Sequence, residues 1–213
     1  MTLFDTPRPR LRRPSGHVPE PGRGPERRLR VASTTAAEAR SHVRHVLPDG
    51  TPLVIRPIRP EDADSEQAFV RGLSSESRHL RFLGALTELS PAMLDRFTRI
   101  DPDREAALVA FAGDDVRAHQ VGVARYTIED DGRSSDGRTA EFALVVGDDH
   151  HHQGIGRRLM ELLLDAARAH GVGRIRGEVL ADNAVMLGLM GRLGFTVRPH
   201  PEDRALVLVE RAV

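Results

Sequence analysis

The sequence predicts a mixed α/β domain, one sheet flanked by helices, preceded by a basic arm. Two observations carry this. From about residue 50 onward, apolar runs of strand length alternate with segments of helical period, and Gly, Pro, Asp and Ser mark the changes between them. Residues 1–45 show neither pattern: they hold six prolines in the first 25 positions and ten Arg against four acidic residues. Such an arm cannot bury enough apolar surface to offset its ordering entropy, so it is expected to be disordered. No aromatic residues interleave its arginines, so a solvated tail is expected and nucleic acid is not expected as a partner.

Within 50–213 the first element is "PLVIRPI" (52–58), a strand. Next comes "RPEDADSEQAFVRGL", where Pro60 suits a first helical turn and Glu61, Asp62 and Asp64 complement the helix dipole. A short helix fits "SSESRHLRFLG". Another fits "LSPAMLDRFTRI", with Ser90 as N-cap, Pro91 at the first helical position, and Met93, Leu94, Phe97 and Ile100 on one face. "EAALVAFAG" and "HQVGVARYTIE" read as strands, and "DDGRSSDGRT" as an exposed loop. "AEFALVV" (140–146) is a further strand. The helix after it presents Leu159, Leu162, Leu163, Ala166 and His170 at spacings of three and four and stops at Gly171. Strand "RIRGEVL", helix "NAVMLGLMGRLGF" and strand "RALVLVE" complete the order β-α-α-α-β-β-β-α-β-α-β.

Composition narrows the function. At 213 residues the chain is long enough for one domain with a sizeable core. No cysteine is present, which excludes a disulfide framework, a thiolate zinc site and a cysteine nucleophile. No apolar run approaches the ~20 residues of a membrane helix, and the arginines near the N-terminus precede no apolar signal core. No membrane association is expected, and the cytoplasm is the expected location. All 31 basic residues are Arg, since the chain has no lysine. Coding bias would produce this, and so would an enzyme that acts on lysine and is spared self-modification.

The segment "GDDHHHQGIGRRLMELLLDAARAHG" carries most of the functional information. Neighbouring side chains on an extended segment diverge, so His150, His151 and His152 are not expected to close on one ion, and no metal is expected. The dinucleotide pattern G-x-G-x-x-G fails because Leu159 stands at its third position, and the antiparallel strands upstream do not fit a βαβ unit. A phosphate loop ending in Gly-Lys is excluded by the absence of lysine. A turn that merely joins strand to helix stays open as an alternative. The remaining reading is a pyrophosphate site. Gly154 and Gly156 let the backbone approach a ligand, the first-turn N–H groups point outward, and Arg157 and Arg158 add charge.

His151-His152-Gln153-Gly154-Ile155-Gly156 resembles the R/Q-x-x-G-x-G/A loop of the GNAT superfamily of acyl-CoA-dependent N-acetyltransferases, with His151 where Arg or Gln is usual. The ending "VLADNAVMLGLMGRLGF" is similar to that superfamily's strand, asparagine and helix. "LVIRPIRPEDADSEQAFVRGLSSESRHLRFLG", "IDPDREAALVAF" and "AEFALVV" resemble the acetyltransferase domain of bacterial Pat-type protein lysine acetyltransferases, over roughly 50–213. The resemblance implies a mostly antiparallel GNAT-type sheet. It implies acetyl-CoA as co-substrate, with no permanently bound cofactor, and a protein lysine as acceptor. A small-molecule amine acetyltransferase and a non-catalytic acyl-CoA sensor share the same loop. Oligomeric state is left open.

The resemblance also implies roles for residues. A lysine amine has a pKa near ~10.4, so a general base is needed at neutral pH. Glu141 matches the family's base, with Glu105 and Glu178 as the next candidates. Leu144, Val145 and Val146 would line the pantetheine arm where the strand leaves its neighbour, with a backbone N–H near Val146 facing the thioester oxygen. His151, His152, Gln153, Gly154, Ile155, Gly156, Arg157 and Arg158 would hold the pyrophosphate, and Asn183 would cap its helix and contact CoA. Met190, also expected at the CoA arm, replaces the tyrosine that often protonates the leaving thiolate. Tyr126, the single tyrosine, is expected in the core.

Overall fold

The computed structural model describes residues 43–84, 86–114, 116–129 and 138–213. The arm as far as residue 42, and the loop at 130–137, lie outside the described residues. In chain order the elements are β1 (Val43–Val46), β2 (Pro52–Pro57), a 3₁₀ turn at Pro60–Asp62, α1 (Ala63–Gly72), α2 (Ser75–Phe82) and α3 (Pro91–Thr98). Strands β3 (Glu105–Ala112), β4 (His119–Ile128) and β5 (Arg138–Val146) follow, then α4 (Ile155–Ala169), β6 (Val172–Leu180), α5 (Ala184–Arg192), β7 (Thr196–Pro199) and β8 (Leu206–Ala212). Every element read from the sequence is present. Strands β1 and β7 were not expected. Both are four residues long, and the burial of neither alternates along its length. Because β1 starts at Val43, ordered structure begins before residue 45, where the arm was expected to end.

One sheet holds all eight strands in the order β1-β2-β3-β4-β5-β6-β8-β7. Every neighbouring pair is antiparallel except β5 and β6, which are parallel and joined through α4. Side chains alternate across the sheet, so it builds two cores. On one face Ile155, Leu159, Met160, Leu163 and Ala167 of α4 pack on Ala124, Tyr126, Phe142, Leu144 and Ile175, joined by Met190 and Phe195 from α5 and beyond. On the other, Phe69 and Val70 of α1, Phe82 of α2 and Phe97 of α3 cover Ala107, Val109, Val123 and Val145. Of the stripe read for α4, Leu159 and Leu163 are buried and Leu162 and Ala166 half-buried, but His170 is exposed; the buried face is turned toward Met160, Leu164 and Ala167.

The helix starts follow their capping residues. Ser74 accepts from the Ser77 N–H at 3.0 Å, Ser90 from Met93 at 3.3 Å with Pro91 just inside, and Asn183 from Met186 at 3.0 Å. Between β3 and β4 the register skips Val121, pairing Ala110 with Gly122 and Phe111 with Gln120. This bulge turns Gln120 toward the face covered by α1, where its Nε2 donates to Glu66.

A close contact shapes the middle of the sheet. A Cβ built on Gly177 of β6 would stand 2.8 Å from the Phe142 ring, which is itself packed on Phe195 with ring centroids 5.4 Å apart. The buried ring cannot retreat cheaply. Gly177→Ala is therefore expected to lower stability by roughly 1–3 kcal/mol in denaturant unfolding. Adding Phe142→Leu should recover part of that loss.

Candidate active site

The site forms where the one parallel strand pair comes apart. β5 and β6 are paired from Arg138 opposite Val172 to Glu141 opposite Arg176, with a register shift after Arg138, and there the pairing ends. β5 runs on to Val146 along β4, while β6 runs on to Leu180 along β8. Phe142 and Gly177, the next residue on each strand, meet at the fork. Beyond it the β5 edge facing β6 has no strand partner, as the position of Leu144, Val145 and Val146 after Glu141 implied.

The start of α4 closes one end of this opening. Gly154 is its N-cap with φ +84°, a left-handed conformation that a side chain would strain, and a Cβ there would meet open space. No side chain caps this terminus, and the first backbone bond back to it is Arg158 N–H to Gly154 O at 3.0 Å. The N–H groups of the first turn are thus left to point outward from a 15-residue helix, the arrangement an anionic group binds. The Cα of Gly156 faces Leu144, Val146 and Leu189, whose side chains would lie 3.5–3.6 Å from a Cβ placed there. Arg157 and Arg158 flank the turn, both paired with Glu161, and Arg158 Nε is buried without a hydrogen bond. These groups fit a pyrophosphate: bare donors, a dipole and two guanidiniums.

The three histidines do different things. His151 Nε2 lies 2.9 Å from the Val146 carbonyl, an interaction that folds the loop back on the end of β5. His150 Nδ1 is 3.5 Å from Gln153 Oε1, its ring 5.7 Å from that of His119, and His152 has φ +61°. Among the described residues no group of His, Asp and Glu could hold a metal ion. Asp148 anchors the loop to the opposite face. Its carboxylate accepts from Ser74 N (2.8 Å), Ser74 Oγ (2.7 Å) and Ser77 Oγ (2.7 Å) at the start of α2. Burial opposes its ionisation, but those hydrogen bonds outweigh burial and hold its pKa down at about 2.

Glu141 sits at the fork on the face of α1–α3, since it pairs across β4 with Thr127, two residues from Arg125. Burial, then the charges of Glu178 and Glu129, push its pKa up to about 7, with Arg176 pulling the other way. Arg176 is engaged by Glu129 through Nε at 2.7 Å and Nη2 at 2.8 Å. Among the described residues Glu141 has no hydrogen-bond or ion-pair partner of its own.

The other candidates are placed elsewhere. Glu105 is buried and ion-paired with Arg96 (Nη1 to Oε2, 2.8 Å). Glu178 faces His200 at 3.4 Å. Tyr126 is buried as expected, its Oη 2.6 Å from His170 Nδ1, and burial raises its pKa to about 12. Met190, expected at the CoA arm, is instead fully buried in the core, because the turn of α5 that reaches Gly156 presents Leu189.

Sequence reasoning missed two arginines beside Glu141. Arg125 of β4 is 5% exposed, stacked on the Phe97 ring at 4.3 Å and bonded to Phe97 O at 2.8 Å. Arg81 lies in the last turn of α2, over the Phe82 ring at 4.9 Å. The signal for Arg125 was a charged residue at an inward position of an apolar strand. Arg81 left none.

The profile of the acetyltransferase (GNAT) family matches residues 75–195. The chain belongs to this family. It is 35% identical over 177 residues to "Acetyltransferase PA5475" of Pseudomonas aeruginosa, covering 83% of this chain and 92% of that protein. The GNAT domain of S. lividans PAT is similar in structure, with a TM-score of 0.71 and 28% identity over 81% of this chain and 97% of that one. A cAMP-binding acyltransferase from Mycobacterium smegmatis matches with a TM-score of 0.53 and 25% identity, and the chain spans 47% of its length. Membership carries acetyl-CoA as co-substrate and an amine as acceptor. No helix among the described residues is long and apolar enough to cross a membrane.

The raised pKa of Glu141 has a stability signature. A carboxyl whose folded pKa lies above its unfolded value contributes stability below the unfolded pKa and loses it as pH rises through the folded one. The melting temperature of Glu141→Gln minus that of the wild type should therefore increase between pH 5 and pH 8. A flat difference across that range would mean that Glu141 titrates normally.

Proposed function

We propose that the enzyme transfers acetyl from acetyl-CoA to a primary amine, a lysine side chain of a protein, by direct attack with Glu141 as general base. The observation that carries this is the carboxyl of Glu141, without a partner among the described residues and with its pKa raised to about 7, at the fork where β5 loses β6 and within one strand length of the α4 terminus. A base with pKa near the working pH is ionised often enough to accept a proton and basic enough to hold it. The protein-lysine acceptor is supported by the resemblance of 50–213 to Pat-type enzymes and by the absence of lysine from the chain, which leaves no side-chain amine for self-acetylation.

In this reading the first-turn N–H groups of α4, with Arg157 and Arg158, hold the pyrophosphate. His151, His152, Gln153, Gly154 and Ile155 shape that turn, and Asn183 fixes the start of α5 beside it. The pantetheine arm runs along the free edge of Leu144, Val145 and Val146. It presents the thioester near Glu141, with a backbone N–H near Val146 toward the developing oxyanion. Glu141 takes the ammonium proton, the neutral amine attacks the thioester carbon, and the C–S bond breaks. With Met190 in the core, no tyrosine serves the leaving group. A thiol of pKa near ~8.5 departs as thiolate and takes its proton from water.

Glu141→Gln should keep acetyl-CoA affinity while turnover at pH 7 falls by roughly 10²–10⁴-fold, the deficit shrinking at high pH where more amine is already neutral. Steady-state thiol release with a lysine-bearing protein measures this. Full turnover by Glu141→Gln would overturn the base.

Gly156→Val would fill the space between Leu144, Val146 and Leu189 and should weaken acetyl-CoA binding at least ~10-fold in calorimetry while the protein stays folded. Unchanged affinity would remove the α4 turn from the site.

A further inference from the structure

We infer that Arg81 and Arg125 form an anion subsite on the acceptor side of Glu141, so that the amine acetylated here carries a carboxylate close to its nitrogen. The inference rests on the acetyl-transfer reading and adds the chemical class of the acceptor. Arg125 projects from the same sheet face as Glu141, because Arg125 is opposite Ala143 and Thr127 is opposite Glu141. Diagonal neighbours of that kind stand about 7–8 Å apart, the span of a short amino acid. Arg81 reaches the same region from α2, a helix that packs on β5 and is fixed at its other end by Asp148.

What singles out the two guanidiniums is that the carboxylates attracting them, Glu66 for both, Glu141 for Arg81 and Glu105 for Arg125, do not reach contact with them. Arg125 uses one donor on the Phe97 carbonyl and lays its face on the Phe97 ring. Among the described residues the contact of the Arg81 guanidinium is the Phe82 ring. Among the described residues no carboxylate lies within ion-pair distance of either. The acids around them are held elsewhere: Glu66 keeps its charge but is hydrogen-bonded to Gln120, Glu105 is paired with Arg96, and Glu141, with a pKa near neutrality, is only partly charged. Gln120 Oε1, next to Glu66, is also buried without a partner. Burial and the repulsion of Arg125 hold the Arg81 pKa down at about 10, against the attraction of Glu66 and Glu141. An ion left short of partners in a half-closed site is costly. A carboxylate accepting from both guanidiniums would relieve that cost with charge-assisted hydrogen bonds. It would also bring the amine of the same molecule toward Glu141.

Two kinds of acceptor supply this chemistry, an acid beside a lysine in a protein and a free amino acid, and paired substrates separate them. One pair is a peptide with Asp next to its single lysine against the same peptide with Asn. The other is β-alanine against β-alaninamide. Rates are referred to the neutral amine fraction, so that the differing amine pKa values drop out. In at least one pair the carboxylate form should have a kcat/KM about 10- to 100-fold higher. The pair that shows it names the source. In Arg81→Gln the ratio for that pair should fall to near 1, chiefly through KM. Ratios near 1 in both pairs, with all four substrates turned over, would overturn the subsite and leave acetyl transfer standing. A high ratio that survives Arg81→Gln would overturn the assignment to Arg81. Absence of both amine turnover and acetyl-CoA binding would remove the acetyl-transfer reading and this inference with it.

Discussion

The rest of the site depends on one separation of strands. β5 and β6 pair no further than Glu141 and Arg176, and at the next position the Phe142 ring lies over Gly177, in space that a side chain there would need. Phe195 holds that ring from the other side. From there the two strands follow different partners, β5 along β4 and β6 along β8. The separation exposes a length of backbone edge within a sheet whose both faces are covered by helices. Unpaired backbone groups in a protein interior are expensive, and a ligand that satisfies them is correspondingly favoured.

The two faces of the sheet divide the labour. Helix α4 lies on one and brings bare N–H groups to the end of β5. Helices α1–α3 lie on the other, with Arg81 on α2 and Glu141 and Arg125 on the strands they cover. Asp148 spans the division. Its three hydrogen bonds tie the loop ahead of α4 to the first turn of α2, so the loop on one face and the helix on the other are set by one carboxylate. With its pKa held near 2, that tie persists throughout the neutral range.

Much of this was legible in the sequence because it rests on local signals. The stripe of α4, the caps Ser90 and Asn183, the strand "AEFALVV" and the turn at Gly154–Gly156 each declare themselves within a few residues. Glu141 was found by resemblance; its raised pKa comes first from burial and then from Glu178 on β6 and Glu129 past the end of β4, none of which a local reading brings to it. Met190 was placed wrongly because a helical position does not reveal which of two adjacent residues turns inward. The β3–β4 bulge, which sends Gln120 to Glu66, and the pairing of Glu105 with Arg96 are likewise consequences of register and packing. Four-residue edge strands such as β1 and β7 are too short to show a period.

β7 has a consequence for how the protein behaves in concentrated solution. As the last strand in the sheet order it presents backbone groups to any chain that approaches, and Val197 on it is 47% exposed. A long, flat and apolar strand in that position would template pairing between molecules and begin aggregation. Here the strand is four residues long, carries Arg198 and ends in Pro199, which has no N–H to offer. Its length and its proline leave few aligned donors along this edge for a second molecule to pair with.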